Sequence, residues 1–231
     1  VLPGDGIGPE IMDAALRVLD LVGREFNVKF NYKEELFGGC SIDNYGVPLR
    51  DETSKVCKQS DAVLLGAVGG PKWDTQPHEN KPEKGLLELR KSLGLYANLR
   101  PAKIYNALID ASSLRPNVIR KADVMVVREL IGGIYFSKPR GMDHNKGWNT
   151  LSYNRKEVER ITRTAFELAR KRDNRVTSVH KANVLESSQF WKSVEHDVHR
   201  SYQHVSLADM YVDNAAMQLV QAPRQFDVIL T

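Results

Sequence analysis

Cysteine is scarce. The chain holds two, Cys40 and Cys57, with no CxxC motif and no Cys/His cluster nearby. That excludes a disulfide scaffold and a zinc-finger framework, and both thiols read as reduced core residues of a reducing compartment. No apolar run approaches the ~20 residues that a membrane span requires. The opening VLPGDGIGPE has neither a basic leader nor a signal-peptide core. Neither a membrane span nor secretion is expected on this reading, and a cytoplasmic setting is. There is no internal repeat and no low-complexity tract. The glycine-rich turn Gly4-Asp5-Gly6-Ile7-Gly8 is not GxGxxG, so the dinucleotide fingerprint is not met; it reads as a tight strand-to-helix turn.

Charge of one sign is also in short supply. Lys and Arg total 33 against 29 for Asp and Glu, a net +4. The basic residues form no single block. The densest cluster, Arg170-Lys171-Arg172, reads as a solvated helix end. No nucleic-acid motif is recognisable, so nucleic acid is not an expected partner. Scattered arginines suit a small anionic substrate equally well.

What is present is an ordinary globular balance over 231 residues, with 42% apolar and 27% charged. Short apolar, β-branched runs alternate with helical stretches, which argues for βαβ units and a largely parallel sheet. Helices are predicted from Pro9, with Ile11, Ala14, Ala15, Val18 and Leu19 on one face, and over 51–60, 85–93, 156–172, 187–200 and 214–220. Strands are predicted at Val1-Leu2, 27–32, 62–65, 95–100, 124–128, 176–179 and 205–212. The chain opens at a strand and closes on the strand-like Phe226–Thr231, so it is expected to be part of a longer protein. A crossing near Ala97 to Pro101 predicts domains over 1–97 and 98–231. The polar, aromatic stretch 141–153 reads as an excursion from the core.

Three features carry chemistry. Glu83, Leu86, Leu87 and Arg90 are spaced i, i+3, i+4 and i+7, which puts a carboxylate, two branched apolar groups and a guanidinium on one helix face. An amphipathic helix with a salt-bridged rim gives the same pattern. Arg100 and Arg128 are predicted to end strands, where α/β sheets bind ligands, and the guanidinium fork grips carboxylates in pairs. Lys181 and Asp213 also follow strands. Asp213 can be a helix N-cap or a hard-cation ligand, and Lys181 a solvated lysine or a general base.

The segments VLPGDGIGPE, GGCSIDNYGVPL, DAVLLGAVGGPKWD, PEKGLLELRKSLGLYANLRPAK, VVRELIGGIYF, HKANVLESSQFW and MYVDNAAMQLV resemble, over essentially the whole chain, the β-decarboxylating dehydrogenases. Members of that family act on isopropylmalate, isocitrate, homoisocitrate, tartrate or D-malate. The resemblance implies an isopropylmalate-dehydrogenase-like two-domain α/β fold, with a large mixed, largely parallel sheet flanked by helices and a dimerisation arm over about 141–153. It implies that Arg90, Arg100 and Arg128 hold substrate carboxylates, that Tyr135 is the general acid and that Lys181 is the base. Asp213 is implied to contact substrate and to ligate Mg²⁺ or Mn²⁺, with further ligands lying past Thr231. Lys181 and Asp213 are implied to serve the partner subunit's site in a homodimer. Gly69, Gly70, Pro71, Lys72, Trp73 and Glu83 resemble the part that flanks NAD, and Leu86 and Leu87 would touch the substrate's alkyl branch.

Two leucines where an isocitrate enzyme needs a polar group favour 3-isopropylmalate, oxidised and decarboxylated in the third step of leucine biosynthesis. A D-malate, tartrate or homoisocitrate enzyme and a non-catalytic dicarboxylate binder are the alternatives. One departure stands out: the family has Asp before the catalytic lysine, where this chain has His180. If His180 faces the same way as Lys181, the lysine loses its proton more easily; if not, nothing changes.

Overall fold

The computed structural model describes residues 1–231. The chain divides into two units, Val1–Gly94 and Leu95–Thr231. The division falls slightly ahead of the residue-97 junction expected from sequence, because Ala97 already pairs with Glu129 inside the second unit's sheet.

In the first unit, β1 (Leu2–Gly4) pairs in parallel with β2 (Leu65–Ala67). Helices α1 (Gly8–Glu25), α2 (Gly39–Tyr45), α3 (Asp51–Gln59) and α4 (Pro82–Ser92) complete it. Leu2, Phe37, Cys57 and Leu89 form its core, with Leu65, Val68 and Leu86 packed alongside. The buried positions of α1 are Gly8, Met12 and Gly23, whereas Ile11 and Val18 are exposed, so the predicted inner face is rotated. That helix also carries Leu21 and Val22 on its exposed side, so apolar period alone does not select a face. The predicted strand at 27–32 carries no ladder: the stretch is exposed and lies beside no partner strand. Periodicity signals a strand, but only a neighbour makes one.

Asp5 organises this unit. Its carboxylate is buried and accepts three backbone N–H bonds, from Gly39 at 2.7 Å, Cys40 at 2.7 Å and Gly69 at 2.8 Å. One side chain thereby ties the start of α2 to the loop after β2. Asp5→Asn replaces one acceptor oxygen by a donor pointed at a donor. Charge-assisted bonds contribute roughly 1.5–3 kcal/mol each. A drop of about 2–4 kcal/mol in unfolding free energy is expected in urea titrations, and an unchanged midpoint would refute the organising role.

In the second unit, β3 (Ala97–Lys103) lies antiparallel to β4 (Asp123–Glu129). A short α5 (Pro116–Ile119) joins them. A hairpin of β5 (Gly141–Met142) and β6 (Gly147–Trp148) follows, then α6 (Arg155–Ala169), β7 (Arg175–His180), α7 (Glu186–His199), β8 (Ser206–Tyr211), α8 (Val212–Gln221) and β9 (Val228–Leu230). The sheet order is β3-β4-β9-β7-β8, and all pairs after β3-β4 are parallel. The fold class is thus the mixed α/β sheet flanked by helices that the sequence predicts. β9, the strand predicted from the chain's last residues, is the central one.

Helix α6 starts on a capping box, in which Asn154 and Glu157 satisfy each other's backbone N–H groups. Its stripe Val158, Ile161, Ala165 and Phe166 packs with Val194 and Val198 of α7 over Val127, Val176, Val228 and Leu230 of the sheet. Of the basic cluster at 170–172, Arg170 and Lys171 are exposed at the helix end as expected, and Arg172 is not. Arg172 donates to the buried Asp227 at 2.7 Å and to Asp123 at 2.8 Å, linking β4 to the approach to β9.

Candidate active site

Pleating assigns each side chain of the sheet to a face. Paired residues share a face and neighbours alternate. Val126 pairs with Arg100 and Ile229, Ile229 with Thr177, and Asn98 with Arg128. Arg100, Arg128 and, two residues beyond Val179, Lys181 therefore lie on the same face. His180, with Ser178, lies on the other, over the α6–α7 core. Arg128 is the penultimate residue of β4, Lys181 follows β7, and Asp213 sits in the first turn of the helix after β8. Since β4, β7 and β8 run the same way, these three gather at one sheet edge, where α/β folds bind ligands.

Arg100 does not end its strand. β3 continues through Pro101 to Lys103, because as an edge strand it tolerates a residue without an N–H. The arginine instead lies mid-strand, diagonal to Arg128, and its Nε donates to Asn98 Oδ1 at 2.7 Å. Asn98, directly opposite Arg128, went unnoticed in the sequence; its place two residues before Arg100, on the same face, was the available signal. Arg128 stacks over the Tyr135 ring, 5.1 Å from its centroid. Tyr135 is half-exposed, and its carbonyl accepts from Arg140. It follows Gly133, whose φ of +71° and closeness to the Tyr153 hydroxyl leave no room for a side chain. Gly132 N donates to the buried Glu129, itself paired with Arg160 at 2.7 Å, so the turn that presents Tyr135 is anchored in the core.

Lys181 Nζ and Asp213 Oδ1 are 2.5 Å apart. The lysine's hydrogen bond holds the Asp213 carboxyl below its ordinary value. Asp213 is not the N-cap of α8. The helix starts one residue earlier, Tyr211 holds the cap position, and no side chain caps it. The arginine–tyrosine group and the Lys181–Asp213 pair are two separate clusters along the edge.

In the first unit, α4 begins at Pro82 rather than at residue 85, because proline suits the first helical turn, so Glu83 is within the helix. Pro82, Gly85 and Leu89 face the core, while Glu83, Leu87 and Arg90 are exposed or half-buried. Leu86 packs partly on the core, so it is shared between stability and the outer face. Gly69 has a φ of +89°, and a Cβ there would strike the Glu83 carboxylate. Lys72 and Trp73 both bind Asp43, at 2.6 and 3.1 Å, and lock the loop onto α2. Their side chains thus hold the loop in shape, which leaves Gly69, Gly70 and Glu83 as its open surface. Two surface concavities, of about 630 Å³ by Asp20–Phe30 and about 430 Å³ by Tyr96 and Arg160, include none of these residues.

The donor set fits the implied groups as far as it goes. Asp213 offers one exposed carboxylate, the oxygen ligand that Mg²⁺ or Mn²⁺ prefers. At Gly69 the backbone passes so close to the Glu83 carboxylate that no Cβ fits, which keeps that carboxylate against the turn.

The second unit's sheet is thus an α/β sheet that presents guanidinium, phenol and ammonium groups beside its strand ends. The particular lineage is clear from the whole sequence: the chain belongs to the isocitrate/isopropylmalate dehydrogenase family, whose profile matches residues 1–231. It is 60% identical over 230 residues to the 3-isopropylmalate dehydrogenase of Chlorobium chlorochromatii, covering 100% of this chain and 65% of that one. It is 54% identical to the Aquifex aeolicus 3-isopropylmalate dehydrogenase, again covering 65% of it. The isocitrate dehydrogenase of Methylococcus capsulatus has a similar structure, with a TM-score of 0.78 and 28% identity over 100% of this chain and 65% of that one. The chain thus spans about 65% of the length of the curated relatives it matches.

Proposed function

We propose that the complete protein is an NAD-dependent 3-isopropylmalate dehydrogenase. It converts (2R,3S)-3-isopropylmalate to 4-methyl-2-oxopentanoate and CO₂, the third step of leucine biosynthesis, in the cytoplasm. The observation that carries the reading is the pair Arg100 and Arg128 on one face of the sheet, with Arg128 stacked on Tyr135. Arg100 and Arg128 grip substrate carboxylate through charge-assisted bonds, and Arg90 of α4 takes the substrate-binding role that the family resemblance implies. Leu87 and the outer part of Leu86 accept the isopropyl branch and leave nothing to satisfy a third carboxylate. When bound, NAD⁺ supplies the hydride acceptor, and Mg²⁺ or Mn²⁺ the positive charge that polarises the hydroxyl and the developing ketone.

Lys181 takes the hydroxyl proton, and Tyr135 protonates the carbon that CO₂ has left. The two clusters along the edge suit a homodimer in which Lys181 and Asp213 serve the partner's substrate, with the hairpin at 141–153 as the clasp between copies. Gly69, Gly70, Pro71 and Glu83 flank the nicotinamide, supported by Lys72 and Trp73. Only Asp213 of this chain would ligate the ion.

The test is NAD⁺ reduction by the full-length protein with 3-isopropylmalate, isocitrate and D-malate, with and without Mg²⁺. Turnover is expected with 3-isopropylmalate and Mg²⁺, at least tenfold above the others in kcat/KM, since a branch of a few methylene equivalents contributes about 1–3 kcal/mol in an apolar pocket. Equal rates with D-malate would overturn the assignment.

A further inference from the structure

Glu195 is the one charged residue on the buried face of α7, beside Trp191, Val194 and Val198. It is fully buried. It accepts from the Ser178 hydroxyl, and its Oε1 has no hydrogen-bond partner and lies 4.0 Å from His180 Nε2. His180 Nε2 lies 3.1 Å from Asp209 Oδ1. Asp209 Oδ2 meets Lys192 and His196, each at 3.0 Å. Six polar side chains thus converge on the sheet face opposite Lys181.

His180, Glu195 and Asp209 have the donor atoms of a metal cage, but their partners argue against one. Ala182 N donates to His180 Nδ1 at 3.3 Å, so that nitrogen is the acceptor and Nε2 carries the proton, pointed at Asp209. A ligating Nε2 needs the opposite tautomer. Burial pushes the Glu195 carboxyl up to about 8, with Asp209 adding to it, which disfavours the carboxylate that a cation would need. Burial also penalises the Asp209 carboxylate, but the bonds from His180, Lys192 and His196 hold Asp209 low.

The hydrogen-bond directions instead lead to Lys181. Its own N–H is bonded to Ser188 Oγ at 3.3 Å, and the next N–H, of Ala182, to His180. The chain leaving β7 is therefore held on both sides of Lys181. We infer that His180, oriented by Asp209, is the positioning residue that fixes the exit of β7 and aims Lys181 at Asp213. The inference rests on the proposed role of Lys181. It also accounts for the departure at residue 180. His180 lies on the sheet face of Ser178, with the carboxylate supplied across the strand by Asp209, and the imidazole relays its orientation to the backbone.

The test uses the full-length protein. His180→Ala is expected to lower kcat by roughly 10- to 100-fold, as small misplacements of a reacting group do, with KM within about threefold. His180→Asn keeps an acceptor for Ala182 N–H and is expected to recover part of the loss. In a Lys181→Ala background, His180→Ala is expected to cost nothing further, because the residue acts only through the lysine. Additive losses in that cycle, or a His180→Ala turnover equal to wild type, would overturn the inference. A crystal structure of His180→Ala decides it without any substrate. Lys181 Nζ is expected to leave Asp213, and an unchanged pair refutes the positioning role whatever the reaction is. Absence of NAD⁺ reduction by the wild-type protein would count against the function alone.

Discussion

Tyr135→Phe in the full-length enzyme is expected to lower kcat by on the order of 10²–10⁴-fold, with KM for 3-isopropylmalate not raised, since general acid–base groups typically contribute that much. The surroundings of Tyr135 make the substitution clean. Arg128 stacks on the ring, not the hydroxyl, and a phenylalanine ring offers the same face. The other recorded bond is made by the main-chain carbonyl, which the change leaves in place. The ring is half-exposed, so no buried polar group is orphaned and folding stability is expected to move by less than about 0.5 kcal/mol. What disappears is the proton for the carbon that has lost CO₂. Hydride transfer precedes that step, so the variant is expected to form about one NADH per site rapidly and then slow down, as seen in stopped-flow absorbance. Turnover at the wild-type rate would remove Tyr135 from the chemistry; a uniform slowing without a burst would assign it to an earlier step.

How far the sequence reveals this site depends on the distance between partners. The strands β4, β7 and β8 are legible as short apolar runs, and α6 and α7 as amphipathic stretches, because each is written in local period. The positions of Arg128 and Lys181 follow from those runs. The same reasoning misplaces Arg100, since Pro101 looks like a stop and only the edge location of β3 explains why it is not. The stretch 27–32 fails for the converse reason: the pattern is present, but no partner strand lies beside it. Asp5, Asn98 and the Asp209–His180–Glu195 cluster escape local reading because their meaning lies in residues across a strand pair or some sixty positions away, as from Asp5 to Gly69. Within that cluster His180 is visible as the departure before Lys181, and Glu195 as a carboxylate on an otherwise apolar stripe; such an inconsistency between levels marks a position with another task.

Arg100→Ala is expected to reduce kcat/KM by about 2–5 kcal/mol, the cost of removing one member of a charged hydrogen-bonded pair. That is roughly 30- to 5,000-fold. The size of the effect follows from how the side chain is held. Asn98 takes Nε at 2.7 Å, which turns the guanidinium so that its two terminal nitrogens remain for a carboxylate. Arg128 stands diagonally across on the same face, so an acid bound between them meets two forks. Arg100→Lys keeps the charge without the fork and is expected to recover only part of the loss, because a point charge does not reproduce paired geometry. Asn98→Ala is expected to cost less than either, since it releases the guanidinium without removing it. Arg100 is exposed on an edge strand, so the Ala variant is expected to unfold at the wild-type urea midpoint. A loss that appears in KM separates the clamp from a structural role; a normal KM in Arg100→Ala would leave the anion to Arg90 and Arg128 and remove the central grip from the proposed site.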